Sequence, residues 1–386
     1  MLVVGNNILG QDNLPCNDDD IDNDMVVMQY IDIDSDTSTF SSSSADVVFQ
    51  PHEDGTPTEC YAVAYAALYW GAMLQSGDRS NITSVKFKTP EDTSYTDING
   101  TLIYDAIVDP IVSEDGEPGN TPYACYADVT SLLQNITDIE GTYTVGNVVS
   151  SEGTNNSTGL SAGWTLFIIY EDPDLHTKSF TTFDGFSHIY DGHELQVPVD
   201  GFMTPPAGNI DLQFAYATLD GDKTKRATKL EINGKEVTTP FRSPANRFFG
   251  SVIENYNGVA HPRNPFGTNT LGYDTGMLEI FNAEPEYIVN GATDADFRLQ
   301  VARGQADPIF AFFSAFAVDV ISPEIELVKT VEDEFGNDIN GDDVVLGQNL
   351  FYEIAYQNTG NEDITNFTIT DVLPENIIFD PATDID

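Results

Sequence analysis

The sequence predicts an all-β protein in which a large, jelly-roll-like β-sandwich domain is followed by a smaller Ig-like β-sandwich repeat. Three observations predict this fold class. The apolar runs have the length of strands rather than helices, and they are rich in β-branched and aromatic residues. Turn pairs such as Asp184-Gly185 and Asn233-Gly234 separate them at close intervals. The 386 residues are enough for two or three domains with their own cores.

The stretch Gly163–Phe186 is central to the predicted fold. Its first part, Trp164–Tyr170, is apolar on both faces, which predicts a strand buried between two layers. Pro173 has no N–H to donate to a ladder, so we expect the strand to end and turn there. Phe180–Phe186 is interpreted as the returning strand of a hairpin at the centre of the β-sandwich.

Other elements are predicted from alternation and turn chemistry. Val85–Lys88 and Phe310–Ile321 alternate as strands do. Leu230–Val237 is the clearest hairpin, because its Asn-Gly pair suits a type I′ turn. Asp128 is the expected N-cap of a short helical turn. Tyr61–Leu74 fits either a helical stripe or a buried strand, and its periodicity does not decide between them.

Composition divides the chain into three regions. Residues 1–45 form an acidic, Ser- and Asp-rich leader, and Ser41–Ser44 is interpreted as a flexible linker. Asp18–Asp24 alternates carboxylates, but it lacks the glycine and the closing glutamate of an EF-hand loop, so a solvated leader is expected. Residues 46–321 form the large sandwich. Short strands at regular spacing predict an Ig-like repeat over 322–386, which ends before its last strands.

Charge is the most unusual property of the chain. There are 63 acidic residues against 15 Lys+Arg, a formal net charge of −48. Such a field repels nucleic acid and anionic membrane surfaces, so neither is expected as a partner. Three interpretations stay open: a solvated surface adapted to salt, a set of Ca²⁺ sites, or recognition of a cationic partner. No run of about 18 apolar residues is present, so direct membrane insertion is not predicted.

Calcium is the cofactor that the acidic loops favour, because it prefers hard oxygen ligands. Asp-Gly-Asp and Asn-Asp-rich turns provide such oxygens, although Asp, Asn and Gly also favour turns for their own sake. The candidate Ca²⁺ ligands are Asp220, Asp222, Asp274, Asp338, Asn340 and Asp342.

The three cysteines are too few for a disulfide framework and lack metal-site spacing. Cys60 and Cys125 each lie at the edge of an apparent strand, so they are the candidate structural disulfide. Cys16 is then left without a partner.

Catalytic motifs are not evident. His188–Glu194 contains two His, an Asp and a Glu, which are Zn²⁺ ligand types, but the segment reads as a turn between strands and a solvated loop is expected. The sequence has no nucleophile elbow and no phosphate-cradling glycine loop. With 63 acidic residues, a close carboxylate pair carries no information about glycoside hydrolysis. The sequence therefore predicts a protein that is not an enzyme.

Two regions resemble known bacterial modules. The C-terminal region resembles the DUF11 repeat, an Ig-like module, through Leu327-Val328-Lys329-Thr330, Asn358-Thr359-Gly360 and Thr370-Asp371-Val372-Leu373-Pro374. Residues 46–321 resemble the N-terminal β-rich domain that precedes such repeats in secreted bacterial proteins, through motifs that include Ala162-Gly163-Trp164-Thr165-Leu166 and Phe183-Asp184-Gly185-Phe186. The resemblance implies that Tyr61–Trp70 is a strand, and it brings no catalytic residues.

The resemblance implies an extracellular adhesin-type protein of the bacterial cell surface, with a distal binding domain on an Ig-like stalk. Its expected partners are a surface glycan, a protein ligand, or neighbouring copies in a filament. Two alternatives are kept: a structural subunit of a surface filament or layer, and a carbohydrate-active jelly-roll enzyme.

Overall fold

The computed structural model describes residues 1–12, 15–50, 58, 61–110, 121–154, 159–173, 175–226, 228–238, 247–254, 262–282, 286–304, 308–321, 325–358, 360, 364, 367–374 and 376–379. The chain divides into two compact units, Met1–Val320 and Ile321–Asp386. The division lies one residue from the predicted boundary between 321 and 322.

Strands make up nearly all of the regular structure. The strands as far as the middle of the chain are β1 (Leu2–Asn7), β2 (Leu9–Gln11), β3 (Met28–Tyr30), β4 (Ser42–Val47), β5 (Ala62–Met73), β6 (Ser84–Lys88), β7 (Thr96–Asn99), β8 (Thr101–Asp105), β9 (Pro122–Asp128), β10 (Gly141–Gly146) and β11 (Ala162–Glu171). Those that follow in the first unit are β12 (Lys178–Ile189), β13 (Glu194–Asp200), β14 (Asp211–Gly221), β15 (Thr228–Ile232), β16 (Lys235–Glu236), β17 (Ile253–Glu254), β18 (Arg263–Asn264), β19 (Gly272–Phe281), β20 (Asp294–Val301) and β21 (Ile309–Asp319). The second unit has β22 (Ile325–Glu332) and β23 (Phe351–Asn358). The described helices are α1 (Thr130–Gln134) and a 3₁₀ turn over Asn23–Met25.

Four sheets build the first unit, which confirms the predicted all-β sandwich class. Sheet I has the strand order β18-β4-β10-β6-β7, and sheet II the order β1-β11-β5-β9-β8. Sheet III has the order β12-β21-β14-β19-β17, and sheet IV the order β13-β20-β15-β16. The pairs are antiparallel except for the short parallel pair of β17 with β19. A small sheet of β2 and β3 lies beside them.

The sheets stack as four layers in the order I, II, III, IV. From β11 in sheet II, Trp164 donates its indole N–H to Oγ of Ser43 in sheet I at 2.9 Å. The next residue on the strand, Thr165, donates from Oγ1 to Oγ1 of Thr275 in sheet III at 2.8 Å. Rings of Phe214 and Phe297, 5.0 Å apart, join sheets III and IV. Successive side chains of a strand point to opposite faces, so β11 is buried on both faces, as predicted.

The predicted hairpin between Trp164–Tyr170 and Phe180–Phe186 is wrong. Strand β11 pairs with β1 and β5 in sheet II, whereas β12 pairs with β21 in sheet III. The turn near Pro173 therefore carries the chain from one interior sheet to the other. Strands adjacent in sequence pair in only about two-thirds of cases, and the residue pattern of a strand does not specify which neighbour it takes.

Several local predictions are confirmed. Tyr61–Leu74 is strand β5, which resolves the open choice between helix and strand. Strands β15 and β16 form the predicted hairpin, and Asn233 and Gly234 have φ values of 48° and 71°, as a type I′ turn requires. The predicted helical turn is present as α1, but Asp128 is not its N-cap: that position belongs to Val129, and Asp128 accepts a hydrogen bond from the Thr130 N–H at 2.9 Å from one residue earlier.

Residues 1–45 are not a solvated leader. Leu2–Asn7 is the fully buried strand β1 and pairs with β11. The serines predicted as a linker belong in part to β4, and Ser42 and Ser43 are buried against the core. The reason is steric, because small hydroxyl side chains fit beneath the large indole of Trp164 and one of them bonds it.

The predicted disulfide partner Cys60 lies outside the described residues. Cys125 is a free, fully buried thiol on β9. Its Sγ donates toward the carbonyl O of Ile82 at 3.5 Å, and burial raises its pKa to about 12. The structure thus has a free thiol where the sequence predicted half of a bridge, because Cys125 lies in the middle of β9 with its side chain in the core. Cys16 is also a free, buried thiol.

The second unit contains the antiparallel pair of β22 with β23. Lys329 on β22 donates to both carboxylate oxygens of Asp371 at 2.8 Å, so two of the motifs that resemble the DUF11 repeat are in direct contact. Within the described ranges of the whole chain, no helix is long and apolar enough to cross a membrane.

Candidate metal centre

An acidic loop between β2 and β3 lies against the ends of strands in sheet III. We call residues 15–27 of this loop the strap. Its Asn17 accepts a hydrogen bond from the N–H of Thr268 at 3.0 Å, and Asn269 donates from Nδ2 to the carbonyl oxygens of Asp18 and Ile21 at 2.9 and 2.7 Å. These bonds attach the strap to the turn that leads into β19.

The strap brings two carboxylates to a third one from the loop after β14. Asp22, Asp24 and Asp222 each offer one oxygen, and these oxygens all lie within 4.8 Å of one another. Asp22 and Asp222 are buried and Asp24 is half-buried. Asp22 is held in place because its carboxylate accepts hydrogen bonds from the backbone N–H and the hydroxyl of Thr224.

Two further buried side chains, Asn23 and Asp220, adjoin the three carboxylates in sequence. Asn23 and Asp220 are both fully buried, and Asn23 Nδ2 donates to Asp220 Oδ1 at 3.1 Å. The remaining oxygens, Asn23 Oδ1, Asp220 Oδ2 and Asp24 Oδ1, are buried and accept no hydrogen bond from any residue that the structure describes. A buried acceptor left unsatisfied costs about 1–3 kcal/mol, so the cluster favours a ligand that satisfies several oxygens together.

Two glycines shape the cavity around Asn23. A Cβ added at Gly159 would lie 1.7 Å from Asn23 Oδ1, and one added at Gly272 would lie 2.4 Å from Asn23 Nδ2. Both glycines have positive φ values, 71° and 89°, which side-chain-bearing residues rarely adopt. The backbone of two loops therefore closes around the carboxamide and fixes the direction of its oxygen.

The electrostatics of the cluster also favour a cation. Burial, and then the negative charges of Asp222 and Asp24, raise the pKa of Asp220 well above its ordinary value. Lys225 is the nearest compensating charge, with its Nζ 4.0 Å from Asp22 Oδ2, but it is partly exposed. A bound divalent ion would be the largest local charge and would offset the repulsion among these carboxylates.

The donor set selects the kind of ion. Carboxylate and carboxamide oxygens are ligands for hard cations, and Ca²⁺ accepts six to eight of them in flexible geometry. Zn²⁺ sites are built mainly on His nitrogen and Cys sulfur, which are not among the residues of this cluster. The residues therefore fit Ca²⁺, the ion that the sequence predicted.

The structure unites some of the predicted ligands and separates others. Asp220 and Asp222 belong to the cluster, whereas Asp274 has a different role. The two oxygens of Asp274 accept hydrogen bonds from the backbone N–H groups of Gly250, Ser251 and Val252 at 2.9–3.1 Å. This carboxylate therefore stabilises the turn before β17.

The predicted ligands in the second unit have turn roles. Asp338 Oδ1 accepts the N–H of Asn340 at 2.9 Å, and Asn340 Oδ1 accepts the N–H of Val331 at 3.1 Å. Asp342 is exposed. These contacts correspond to the alternative that Asp and Asn occur here for turn chemistry.

Sequence reasoning missed the strap ligands Asp22, Asn23 and Asp24. The alternating carboxylates of Asp18–Asp24 were the available signal. Their departure from the EF-hand pattern pointed to a solvated leader. The ligands that complete the site come from a loop almost 200 residues further along, as the Asn23–Asp220 bond with its sequence separation of 197 shows.

His188 and His193 do not converge on a common point. The ring of Tyr190 lies between them, 4.4 Å from the His188 ring and 4.2 Å from the His193 ring. Burial, and then the charge of His193, lower the pKa of His188 to about 4. His193 Nδ1 lies 2.8 Å from the Tyr190 carbonyl oxygen. The arrangement is that of a packed aromatic stack.

Comparisons with known proteins give little likeness. No family model and no curated protein matches the chain. The glycosylasparaginase PNGase F from Flavobacterium meningosepticum superposes over 82% of this chain and 96% of its own, at 10% identity and a TM-score of 0.24. The cryo-EM structure of the Sputnik virophage covers 97% of this chain and 92% of its own, at 9% identity and a TM-score of 0.21. Superpositions with such low scores carry no argument about fold or function.

Proposed function

We propose that this chain is a non-enzymatic, extracellular adhesin-type protein of the bacterial cell surface, whose large β-sandwich domain is stabilised by bound Ca²⁺. One observation carries the proposal. Carboxylate oxygens of Asp22, Asp24 and Asp222 lie within 4.8 Å of one another where the strap meets sheet III, and Asp24 Oδ1 and the nearby Asp220 Oδ2 are buried without a hydrogen-bond donor from the described residues. A hard cation is the ligand that satisfies them together.

The site supports an extracellular location because extracellular Ca²⁺-binding modules work at about 10⁻⁴–10⁻³ M ion. The net charge of −48 agrees with a carboxylate-rich surface exposed to such concentrations of divalent cations. The contact of Lys329 with Asp371 supports the resemblance of the second unit to an Ig-like stalk repeat.

In this proposal the domain works as a rigid body. Interior strands such as β14 and β21 are buried along nearly their whole length, so four layers move together. Ca²⁺ fixes the loops at one end of sheet III. The loops supported by these sheets then contact a surface glycan or a protein, since loops on a rigid scaffold commonly carry binding.

Thermal unfolding with Ca²⁺ and with EGTA tests the calcium part of the proposal. A ligand at 100 times its Kd stabilises the folded state by about 2.7 kcal/mol, which for a unit of this size raises Tm by about 5 °C. Asp220→Asn should remove the difference between the two conditions. Asp342→Asn, at an exposed predicted ligand, is the matched control and should keep it. An unchanged Tm for the unaltered protein would sink the calcium proposal.

A glycan array with the Ca²⁺-loaded chain tests the adhesive part. Binding that disappears in EGTA is the expected result. Hydrolysis of an arrayed glycan would instead favour the enzyme alternative.

A further inference from the structure

We propose that Ca²⁺ at this site acts as a latch: the bound ion holds the strap closed against sheet III, and loss of the ion opens the strap while the four sheets stay folded. The inference rests on the proposed function, because it assigns a regulatory role to the same calcium site. It would make extracellular calcium the signal that changes the surface of this domain.

The strap is built as a separable loop. Its two ends are held together at the base by the pairing of β2 with β3 and by the bond from the Asp12 N–H to the Val27 carbonyl oxygen at 3.3 Å. Met28 exchanges two backbone hydrogen bonds with Gly153, at 2.7 and 2.8 Å, and so fixes one end to the body. A loop whose ends are adjacent can open without separating the sheets.

Among the described residues, polar and apolar contacts close the strap. Away from the cluster the polar contacts are bonds to the turn at Thr268 and Asn269 and an ion pair of Asp19 with Lys223, with 3.3 Å between Oδ1 and Nζ. The apolar contacts are made by Cys16 and Val26, which belong to the hydrophobic core. The carboxylate of Asp19 is largely exposed, and a pair of this kind contributes only about 0–1 kcal/mol. The middle of the strap therefore depends on the cluster for much of its polar attachment.

The ligands divide between the strap and the body. Asp22, Asn23 and Asp24 come from the strap, whereas Asp220 and Asp222 come from the end of β14. Oxygens of Asp22 and Asp24 lie within 4.8 Å of an oxygen of Asp222 across this contact, and negative charges at that distance repel one another. Opening of the strap separates the two sets and hydrates them. A bound ion offsets the repulsion and favours the closed arrangement.

Cys16 provides a natural reporter of opening. It lies on the strap, is 5% exposed, and its carbonyl oxygen accepts the N–H of Asn269 at 3.1 Å. Its thiol faces the carbonyl oxygen of Asp18 at 3.8 Å. Cys125 is fully buried in β9 and serves as an internal control, because only unfolding of sheet II would expose it.

The test measures the rate at which each thiol is labelled in the full chain carrying Cys60→Ser. Mass spectrometry follows the labelling at Ca²⁺ concentrations below and above the Kd. The Kd is measured separately by isothermal titration with CaCl₂ as the only titrant. If closing is faster than labelling, the rate at Cys16 falls as 1/(1 + [Ca²⁺]/Kd), about 100-fold at 100 Kd. Cys125 should stay unlabelled throughout. Cys16→Ser confirms the assignment of the labelled thiol.

Each other outcome overturns a distinct claim. A labelling rate at Cys16 that is independent of Ca²⁺, in a chain that binds Ca²⁺, overturns the latch and leaves the proposed function standing. Parallel labelling of Cys16 and Cys125 shows global unfolding and also overturns the latch. The absence of Ca²⁺ binding in the titration overturns both proposals. Asp24→Asn, which keeps the side-chain volume at a half-buried site, should raise the Cys16 rate in Ca²⁺ to its EGTA value.

Discussion

Asn23 and Asp220 are fully buried and share a hydrogen bond of 3.1 Å across a sequence separation of 197 residues. The bond uses the nitrogen of the carboxamide and one oxygen of the carboxylate. It leaves the carboxamide oxygen of Asn23 and the second carboxylate oxygen of Asp220 buried without a hydrogen-bond donor among the described residues. A contact between the N-terminal loop and the end of β14 is therefore both a structural joint and a candidate ion site.

Gly159→Ala should weaken calcium binding more than it weakens the fold. The new Cβ would lie 1.7 Å from Asn23 Oδ1, so the carboxamide must move away from the cluster. Gly291→Ala is the matched control, because Gly291 has nearly the same φ, 73° against 71°, but open space around it. Both changes should cost about 1 kcal/mol of backbone strain. Calcium titration should show at least a tenfold loss of affinity for Gly159→Ala. Equal affinities in the two variants would contradict the role of Gly159 in positioning Asn23.

Asp274→Asn should destabilise the protein without changing its calcium stoichiometry. The carboxylate accepts three backbone N–H groups in a buried turn, and an amide keeps only one acceptor oxygen. The expected cost is about 2–4 kcal/mol, from the lost charge-assisted bonds. Urea unfolding measures the cost, and equilibrium dialysis counts the bound calcium. Loss of bound calcium in a folded Asp274→Asn variant would contradict this prediction and would show that Asp274 contributes to calcium binding.

His188 should make stability depend on pH below neutrality. Burial lowers the pKa of His188 to about 4 from an ordinary value of 6.5. The unfolded chain therefore takes up a proton first, and the stabilising contribution is complete above pH 6.5 and is lost as pH falls from 6.5 to about 4. Because the ring is only half-buried, solvent screening reduces the effect to about 1 kcal/mol. Urea unfolding across this range should show a shallower pH slope for His188→Gln, whereas identical slopes would contradict the assignment.

Thr165→Val should destabilise the contact between sheets II and III. Oγ1 of Thr165 shares hydrogen bonds with Tyr273 and Thr275 at 2.8 Å inside a fully buried layer. Valine keeps the shape but removes the hydroxyl, which deprives the buried Tyr273 hydroxyl of this partner at about 1–3 kcal/mol, whereas Thr275 keeps its bond to the Tyr216 carbonyl oxygen. The free energy of unfolding should fall by that amount. No change in stability would mean that the two partners rearrange and bond each other.

Local patterns predicted local structure well. The Asn233-Gly234 turn needs positive φ at both residues. Asn and Gly are residue types that favour positive φ, so the pair alone predicts the turn. Burial of Trp164 and Thr165 on opposite faces follows from an apolar run without alternation. Pairing was not predictable in the same way, because β11 and β12 take partners far away in sequence that no local pattern specifies.

The candidate site shows the same limit. Asp220 and Asp222 were predicted because carboxylates flanking a glycine suit a calcium loop. Asp22, Asn23 and Asp24 were not predicted as ligands, because their position in the site depends on the strap lying against the end of β14. That position is set by the buried strand β1, which was assigned to a leader because acidic residues follow it.

Equilibrium dialysis against calcium tests the central claim most directly. The account predicts one Ca²⁺ per chain, bound with a Kd of about 10⁻⁴–10⁻³ M, in the unaltered protein and in the exposed-site control Asp342→Asn, and none at that affinity in the folded double variant Asp24→Asn with Asp220→Asn. An unaltered chain that holds no calcium, or a double variant that still holds one as tightly, would contradict the account.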